Sequence, residues 1–326
     1  MPGLHVHIVE EPERLNELLS LLDDGVRVTT GKEHPERATC DILVAGVPEP
    51  AIVEENEGLK ALVIPWSGVP NRTRALMGRF PDVAVHNLHH NALQVAEIAM
   101  ALLLAAAKWI VPLDASLRRD DWSPRYGNTP IVLLRGKRAV VLGAGAIGGL
   151  IAGMCEGMGV EPTLVGREGR PAEGGARGAR SIDELGDLLP VADVLFVCLP
   201  LTEETRGLIG EDELAALPGQ CVLVNVGRGP VVDESALYHA LRDGTLHAAG
   251  LDVWYNYPTD EPGRTSTSPS EFPFRELPNV VLSPHRAGAP NTPETESLRM
   301  RALAELLNAA ARGDDMPNRV DLDLGY

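Results

Sequence analysis

The chain has 326 residues, 44% hydrophobic and 23% charged, enough for two cores at the usual ~100–200 residues per domain. A formal charge of −17 argues against a nucleic-acid footprint, because phosphate binding needs clustered Lys and Arg. The apolar stretch from Met100 breaks at Lys108, short of the ~18 residues of a membrane span, and the N-terminus has no leader-like apolar region, so a soluble cytoplasmic protein is expected.

In chain order, residues 4–9 read as a strand, 11–22 as a helix, and 41–45 and 61–64 as further strands, a βαβ rhythm that implies a parallel sheet under helices. A long apolar segment over 91–111, stopped by Pro112, reads as one helix. After an irregular polar stretch, a second α/β alternation begins at Arg138, with strands at 139–142, 163–165, 194–197, 222–224 and 280–282 and a last helix over 294–311. These short β-branched runs suit strands buried on both faces. Residues 168–180 and 259–274 are biased in composition and read as surface loops. The cysteines, Cys40, Cys155, Cys198 and Cys221, never fall in a C-x-x-C spacing, so neither a metal site nor a disulfide framework is expected.

Gly143-Ala144-Gly145-Ala146-Ile147-Gly148 is a G-x-G-x-x-G between a strand and a helical segment. By itself the triplet is a weak signal in a glycine-rich chain, but the strand before it and the βα unit around it supply the context that pyrophosphate binding requires. The glycines permit a tight turn and close approach of the pyrophosphate to free helical N–H groups. At the tip of the next strand, where an acid would hold the ribose of NAD, the chain reads Val165-Gly166-Arg167-Glu168. Arg167 and Arg170 suit the 2′-phosphate of NADP; alternatively Glu168 takes the ribose and the coenzyme is NAD.

Longer motifs carry a resemblance that covers nearly the whole chain. Residues 134–137, 192–206, Val224-Asn225-Val226-Gly227-Arg228-Gly229, Gly250-Leu251-Asp252-Val253 and Ser283-Pro284-His285-Arg286-Ala287-Gly288 together resemble the D-isomer-specific 2-hydroxyacid dehydrogenases. The resemblance implies an α/β fold of two Rossmann-like or flavodoxin-like, doubly wound parallel-sheet domains with an interdomain cleft. A discontinuous substrate domain would comprise 1–99 and 291–326, and a dinucleotide domain 100–290. It implies hydride transfer between NAD(P) and a 2-keto acid/D-2-hydroxy acid pair, and a homodimer built with an arm over 109–128.

The resemblance also assigns residues. Arg228 would hold the substrate carboxylate and polarise the carbonyl, and His285 would supply the proton. Asp252 would orient the nicotinamide carboxamide. Leu199, Pro200, Thr205, Val226, Gly227 and Gly288 would lie beside the coenzyme with the glycine-rich turn. Ser67, Gly68 and Val69 match a loop whose N–H groups bind the carboxylate; His89 and His90 stand where the family usually has a Pro-Gly-like turn, and one of them either faces the substrate or is structural.

One departure stands out. The family places a Glu five residues after the Asp252 position to pair with the histidine, and here that position is Tyr257. The ungapped match through Trp254-Tyr255-Asn256 favours Tyr257; a four-residue insertion would put Glu261 there instead. Loss of the acid leaves two alternatives to the dehydrogenase, a cofactor-sensing binding protein and a dehydrogenase of the formate or phosphite type.

Overall fold

The computed structural model describes residues 3–32, 40–166, 178–288, 292–322 and 324–325. The chain divides into two units, Met1–Asn91 with Pro290–Tyr326, and Ala92–Ala289.

The first unit carries a five-stranded sheet of β1 (Leu4–Ile8), β2 (Val26–Thr30), β3 (Ile42–Val44), β4 (Ala61–Ile64) and β5 (Ala84–Asn87), in the order β2-β1-β3-β4-β5. Every pairing is parallel, and this is the flavodoxin-like winding. Alternate strand residues separate its two cores. Val6, Ile8, Ile42, Val44 and Val63 face α1 (Leu15–Leu21) and α10 (Pro293–Arg312), whereas Leu43, Leu62, Ile64 and Val85 face α2 (Pro50–Glu54) and α3 (Asn71–Met77). Each of these side chains contributes ~1.5–3 kcal/mol by leaving water, and the period of two explains why both faces are apolar. β2 and β5 escape a sequence reading because Arg27, His86 and Asn87 interrupt their apolar pattern.

The second unit carries seven parallel strands, β6 (Arg138–Leu142), β7 (Glu161–Gly166), β8 (Arg180–Ser181), β9 (Val194–Val197), β10 (Val222–Asn225), β11 (Ala248–Leu251) and β12 (Val280–Leu282). Their order, β12-β11-β10-β9-β6-β7-β8, reverses at β6, as in a Rossmann sheet. One face, with Val141, Phe196 and Val224, packs on α4 (Ala92–Ala107) and α6 (Ala146–Gly157). The other, with Leu142, Val197 and Leu223, packs on α7 (Leu185–Leu188), α8 (Glu211–Ala216) and α9 (Glu234–Arg242).

Two expectations are corrected here. The helix expected over 91–111 is two helices, α4 and α5 (Ile110–Leu117), bent by 66° at Trp109, whose φ is +54°. Pro112 does not stop it: it is the third residue of α5, where a missing N–H breaks no intrahelical bond. The unit boundary falls at Asn91 rather than 99, because Val95, Ala96, Ala99 and Leu103 of α4 belong to the core of the second unit. No single helix among the described residues is long and apolar enough to cross a membrane.

Candidate active site

Parallel register brings the expected residues of the second unit to one edge. Leu142 stands opposite Val165 and Val197, Asn225 opposite Val197 and Leu251, and Leu251 opposite Leu282, so the turns after β6, β9, β10, β11 and β12 all leave from the carboxyl ends of the strands. Ligands of open α/β sheets bind at that edge, where the strand order reverses.

The glycine-rich turn lies at the reversal. Gly143 adopts φ +113° and donates its N–H to Val165 O at 2.8 Å, while Cys198 donates to Leu142 O at 2.8 Å. A Cβ on Gly148 would stand 1.8 Å from the Gly143 carbonyl oxygen, so only glycine lets α6 start this close to the turn. A Cβ on Gly145 would meet nothing within 4 Å, and no side chain caps α6. The space above Gly145 and the uncapped N–H groups of Ala146 and Ile147 suit a dinucleotide pyrophosphate. Gly166, the last residue of β7, brings no acid to the strand tip; Arg167, Glu168 and Arg170 lie outside the described residues.

The turn after β9 is held by its own threonines. Thr205 Oγ1 donates to Pro200 O at 2.7 Å and accepts from Thr202 N at 2.8 Å, which fixes the path of Leu199 and Pro200. After β10, Val226 N donates to Val197 O at 3.1 Å, and a Cβ on Gly227 would come within 2.6 Å of Leu199 O. The two turns thus pack backbone against backbone, leading to Arg228. Asn225 closes the arginine's turn, with Oδ1 accepting from Gly227 N and Nδ2 donating to Arg228 O, both at 3.1 Å. The guanidinium donates to Gly227 O at 2.6 Å. Arg228 is exposed to solvent, yet the protein packed around its guanidinium lowers its pKa from the ordinary arginine value by desolvation, with the Tyr257 phenol opposing.

His285 follows β12 and has φ +56°, a left-handed conformation uncommon outside glycine. Burial pushes its imidazole below the usual histidine value, Arg228 pushes the same way, and Asp252 opposes them. Tyr257 is its neighbour, with ring centroids 5.4 Å apart. The Tyr257 oxygen accepts from Trp254 N at 3.1 Å, and burial raises the phenol above its ordinary pKa, so it is neutral at pH 7. Glu261 is not the partner: its side chain is 85% exposed and ion-paired with Arg264 at 3.5 Å. Tyr257, not Glu261, therefore stands against His285, and the long loop runs on beyond it. The loop is anchored where Glu234 Oε1 accepts from Ser270 Oγ at 2.6 Å and Glu271 N at 2.9 Å. Among the described residues, no carboxylate lies within ion-pair distance of His285.

Asp252, 1% exposed, sits beneath the histidine turn. It accepts from Ser283 Oγ, from Arg286 N at 2.8 Å and from Ala287 N at 3.0 Å. Trp254 Nε1 donates to Ser283 O at 2.8 Å. The motif reading gave Ser283 and Trp254 no role; the signal was available, since a hydroxyl and an indole N–H next to a buried acid seek partners. Gly288 is the next residue in the chain after Ala287.

In the first unit, Ser67, Gly68 and Val69 follow β4, and Ser67 O accepts from Asn87 Nδ2 at 2.7 Å. No backbone carbonyl among the described residues takes the N–H of Ser67, Gly68 or Val69. His89 is half-buried just after β5, and burial, with Arg299 and His89 adding to it, lowers His90 to about 4.

Residues 100–287 match the family model described as D-isomer specific 2-hydroxyacid dehydrogenase, NAD binding domain. The chain is 38% identical over 234 residues to a glyoxylate reductase of Aeropyrum pernix, covering 70% of this chain and 66% of that one. It is 37% identical over 230 residues to glyoxylate/hydroxypyruvate reductase B of Yersinia enterocolitica, covering 70% and 67%. The matched stretch thus spans about two thirds of the length of these relatives. Over its full length the fold matches the crystal structure of a D-isomer specific 2-hydroxyacid dehydrogenase from Xanthobacter autotrophicus Py2 in complex with NADPH and MES, with a TM-score of 0.78, 26% identity and 100% of both chains covered. With the glycine turn at the switch point and Arg228 and His285 on the same sheet edge, the match is consistent across sequence and fold, and the chain belongs to the D-isomer specific 2-hydroxyacid dehydrogenase family of nicotinamide-dependent oxidoreductases.

Proposed function

We propose that the protein reduces a small 2-keto acid to the D-2-hydroxy acid with a nicotinamide coenzyme. The observation that carries this reading is the gathering of Arg228, Tyr257 and His285 on the sheet edge that also bears the glycine-rich turn. Bound there, the coenzyme supplies the hydride. Gly143, Gly145 and Gly148 with the start of α6 hold its pyrophosphate, and Leu199, Pro200, Val226 and Gly227 wall its path. Arg228, an always-charged planar fork, holds the carboxylate and polarises the carbonyl. Protonated His285 gives its proton to the carbonyl oxygen as charge develops; neutral His285 takes it back in the oxidative direction. The turn Ser67-Gly68-Val69, with its unspent N–H groups, is an anion-binding turn on this reading.

NADP is the coenzyme of this reading and NAD the alternative. Gly166 in place of a strand-tip acid, followed in sequence by Arg167 and Arg170, supports it, as does the NADPH bound by the Xanthobacter relative. The substrate class follows the relatives named for glyoxylate and hydroxypyruvate. Turnover of a panel of 2-keto acids with NADPH and NADH tests all of this. Reduction of glyoxylate or hydroxypyruvate with NADPH favoured at least 10-fold is expected, and Arg167→Ala should erode that preference, each charge-assisted contact being worth ~1.5–3 kcal/mol. Equal use of both coenzymes refutes the NADP assignment. Coenzyme binding without turnover would favour the cofactor-sensing alternative.

A cytoplasmic homodimer completes the proposal. α5 has no buried residue, and Trp122, Tyr126 and Leu133 nearby in sequence are 60%, 82% and 72% exposed. Apolar surface of this kind marks an interface. Sedimentation of a Tyr126→Asp, Leu133→Asp variant as a monomer is the expected result, and an unchanged dimer would place the interface elsewhere.

A further inference from the structure

We infer that Tyr257 is a second hydrogen-bond donor to the substrate carbonyl oxygen, set beside His285 to hold the charge that develops there. The inference deepens the proposed reduction and rests on that reading. The Tyr257 ring stands 5.4 Å from the His285 ring, centroid to centroid, and tilts 56° against it. Its oxygen accepts the Trp254 N–H at 3.1 Å, which uses one lone pair and leaves the O–H to another acceptor. Among the described residues, no acceptor takes that O–H. The charges that reach the phenol are Arg228, which has donors only, and Asp252, whose carboxyl is engaged by Ser283, Arg286 and Ala287. Arg228 in turn spends an N–H on Gly227 O. The site is therefore rich in donors and poor in acceptors, the composition that suits a ketone oxygen becoming an alkoxide.

The donor is also held in place. Tyr255 N and Asn256 N both donate to Pro269 O, at 3.2 and 3.0 Å, and the Tyr255 hydroxyl donates to Val232 O at 2.9 Å. The long loop thus closes on the two residues before Tyr257, while the bond from Trp254 N fixes the phenol oxygen itself. A donor fixed before the reaction costs no reorganisation as charge develops. As hydride from the coenzyme forms the new C–H bond, the electron pair of the carbonyl moves onto its oxygen. His285 gives that oxygen its proton, and Tyr257 donates a hydrogen bond while keeping its own hydrogen. Burial raises the phenol above its ordinary value, so this donor persists over the range in which His285 loses its proton. An ionised carboxylate at this position would have no hydrogen to donate, so the role is one the phenol adds.

Tyr257→Phe removes the O–H and keeps a ring against His285. Its kcat for keto acid reduction should fall at least about 10-fold while KM changes less than about 3-fold, with NADPH Kd as in the parent. The loss should be equal from pH 5 to pH 9, because removing a neutral donor leaves the titration of His285 alone. A phenol that acted through His285 would instead move the pH limb, and one that acted by packing would be replaced by Phe without loss; either result overturns the inference. A loss confined to KM overturns it too, since that would place the O–H on the carboxylate. Oxamate, an unreactive keto acid analogue, gives a readout free of turnover. Its Kd for the NADPH-bound protein, followed by coenzyme fluorescence, should rise at least about 3-fold in Tyr257→Phe. An inactive parent that binds oxamate counts against the proposed reduction alone, and the oxamate comparison then decides the role of Tyr257. Equal Kd values in parent and variant, or a parent that binds no oxamate, overturn it.

Discussion

Replacing Tyr257 with Glu puts a carboxylate beside His285, where the ring centroids are now 5.4 Å apart. Opposite unit charges at about that separation interact by about 3 kcal/mol at an effective dielectric of ~20. Both side chains retain solvent exposure, Tyr257 being 45% exposed, so screening reduces this to about half, or about one pKa unit. In the parent protein burial and Arg228 hold His285 below the ordinary histidine value. The proton donor is then present only below that depressed pKa, so reduction weakens as pH rises through a value under the ordinary histidine pKa of about 6.5, while oxidation retains its neutral base to correspondingly lower pH. The variant raises the folded pKa: its reduction limb should move about one unit to higher pH, and its oxidation should fail sooner on the acid side. The assay is kcat/KM for a 2-keto acid and for its hydroxy acid between pH 5 and 9, with Glu261→Gln as control. A limb that stays in place in Tyr257→Glu would refute the reasoning, as would one that moves to acid in Glu261→Gln.

Arg228→Lys keeps a cation but loses the planar fork, so keto acid kcat/KM should fall at least 100-fold with coenzyme Kd unchanged, measured by nucleotide fluorescence titration; near-parent efficiency would remove Arg228 from the substrate. Gly148→Ala forces a Cβ to 1.8 Å from Gly143 O and should cost more than ~3 kcal/mol in thermal or urea unfolding. Gly145→Ala, with nothing within 4 Å, should change stability by less than ~1 kcal/mol yet weaken coenzyme binding at least 10-fold, and unchanged binding would mean the pyrophosphate does not pass over Gly145.

Much of the second unit was legible in the chain itself. Its strands are short, apolar and β-branched, and buried on both faces, so their runs stand out without periodicity; Gly143 and Gly148 are required by a positive φ and a close backbone approach that a sequence pattern records. Arg228 and His285 stand out as candidates because each lies in a motif of contiguous residues. Contacts between distant residues were not legible. The bend at Trp109, the place of α4 in the second core, and the edge strands β2 and β5 all depend on what packs against them, and local propensity yields to that packing. The same holds at the site. Sequence alone left Tyr257 and Glu261 as rivals, because an insertion can be drawn on either side of either residue. The tertiary structure separated them by putting the Tyr257 ring against His285 and Glu261 out in solvent with Arg264. Asp252 was visible as an acid in a motif, but its bonds to Ser283, Arg286 and Ala287 span more than thirty residues, and only the adjacency of β11 and β12 brings them together.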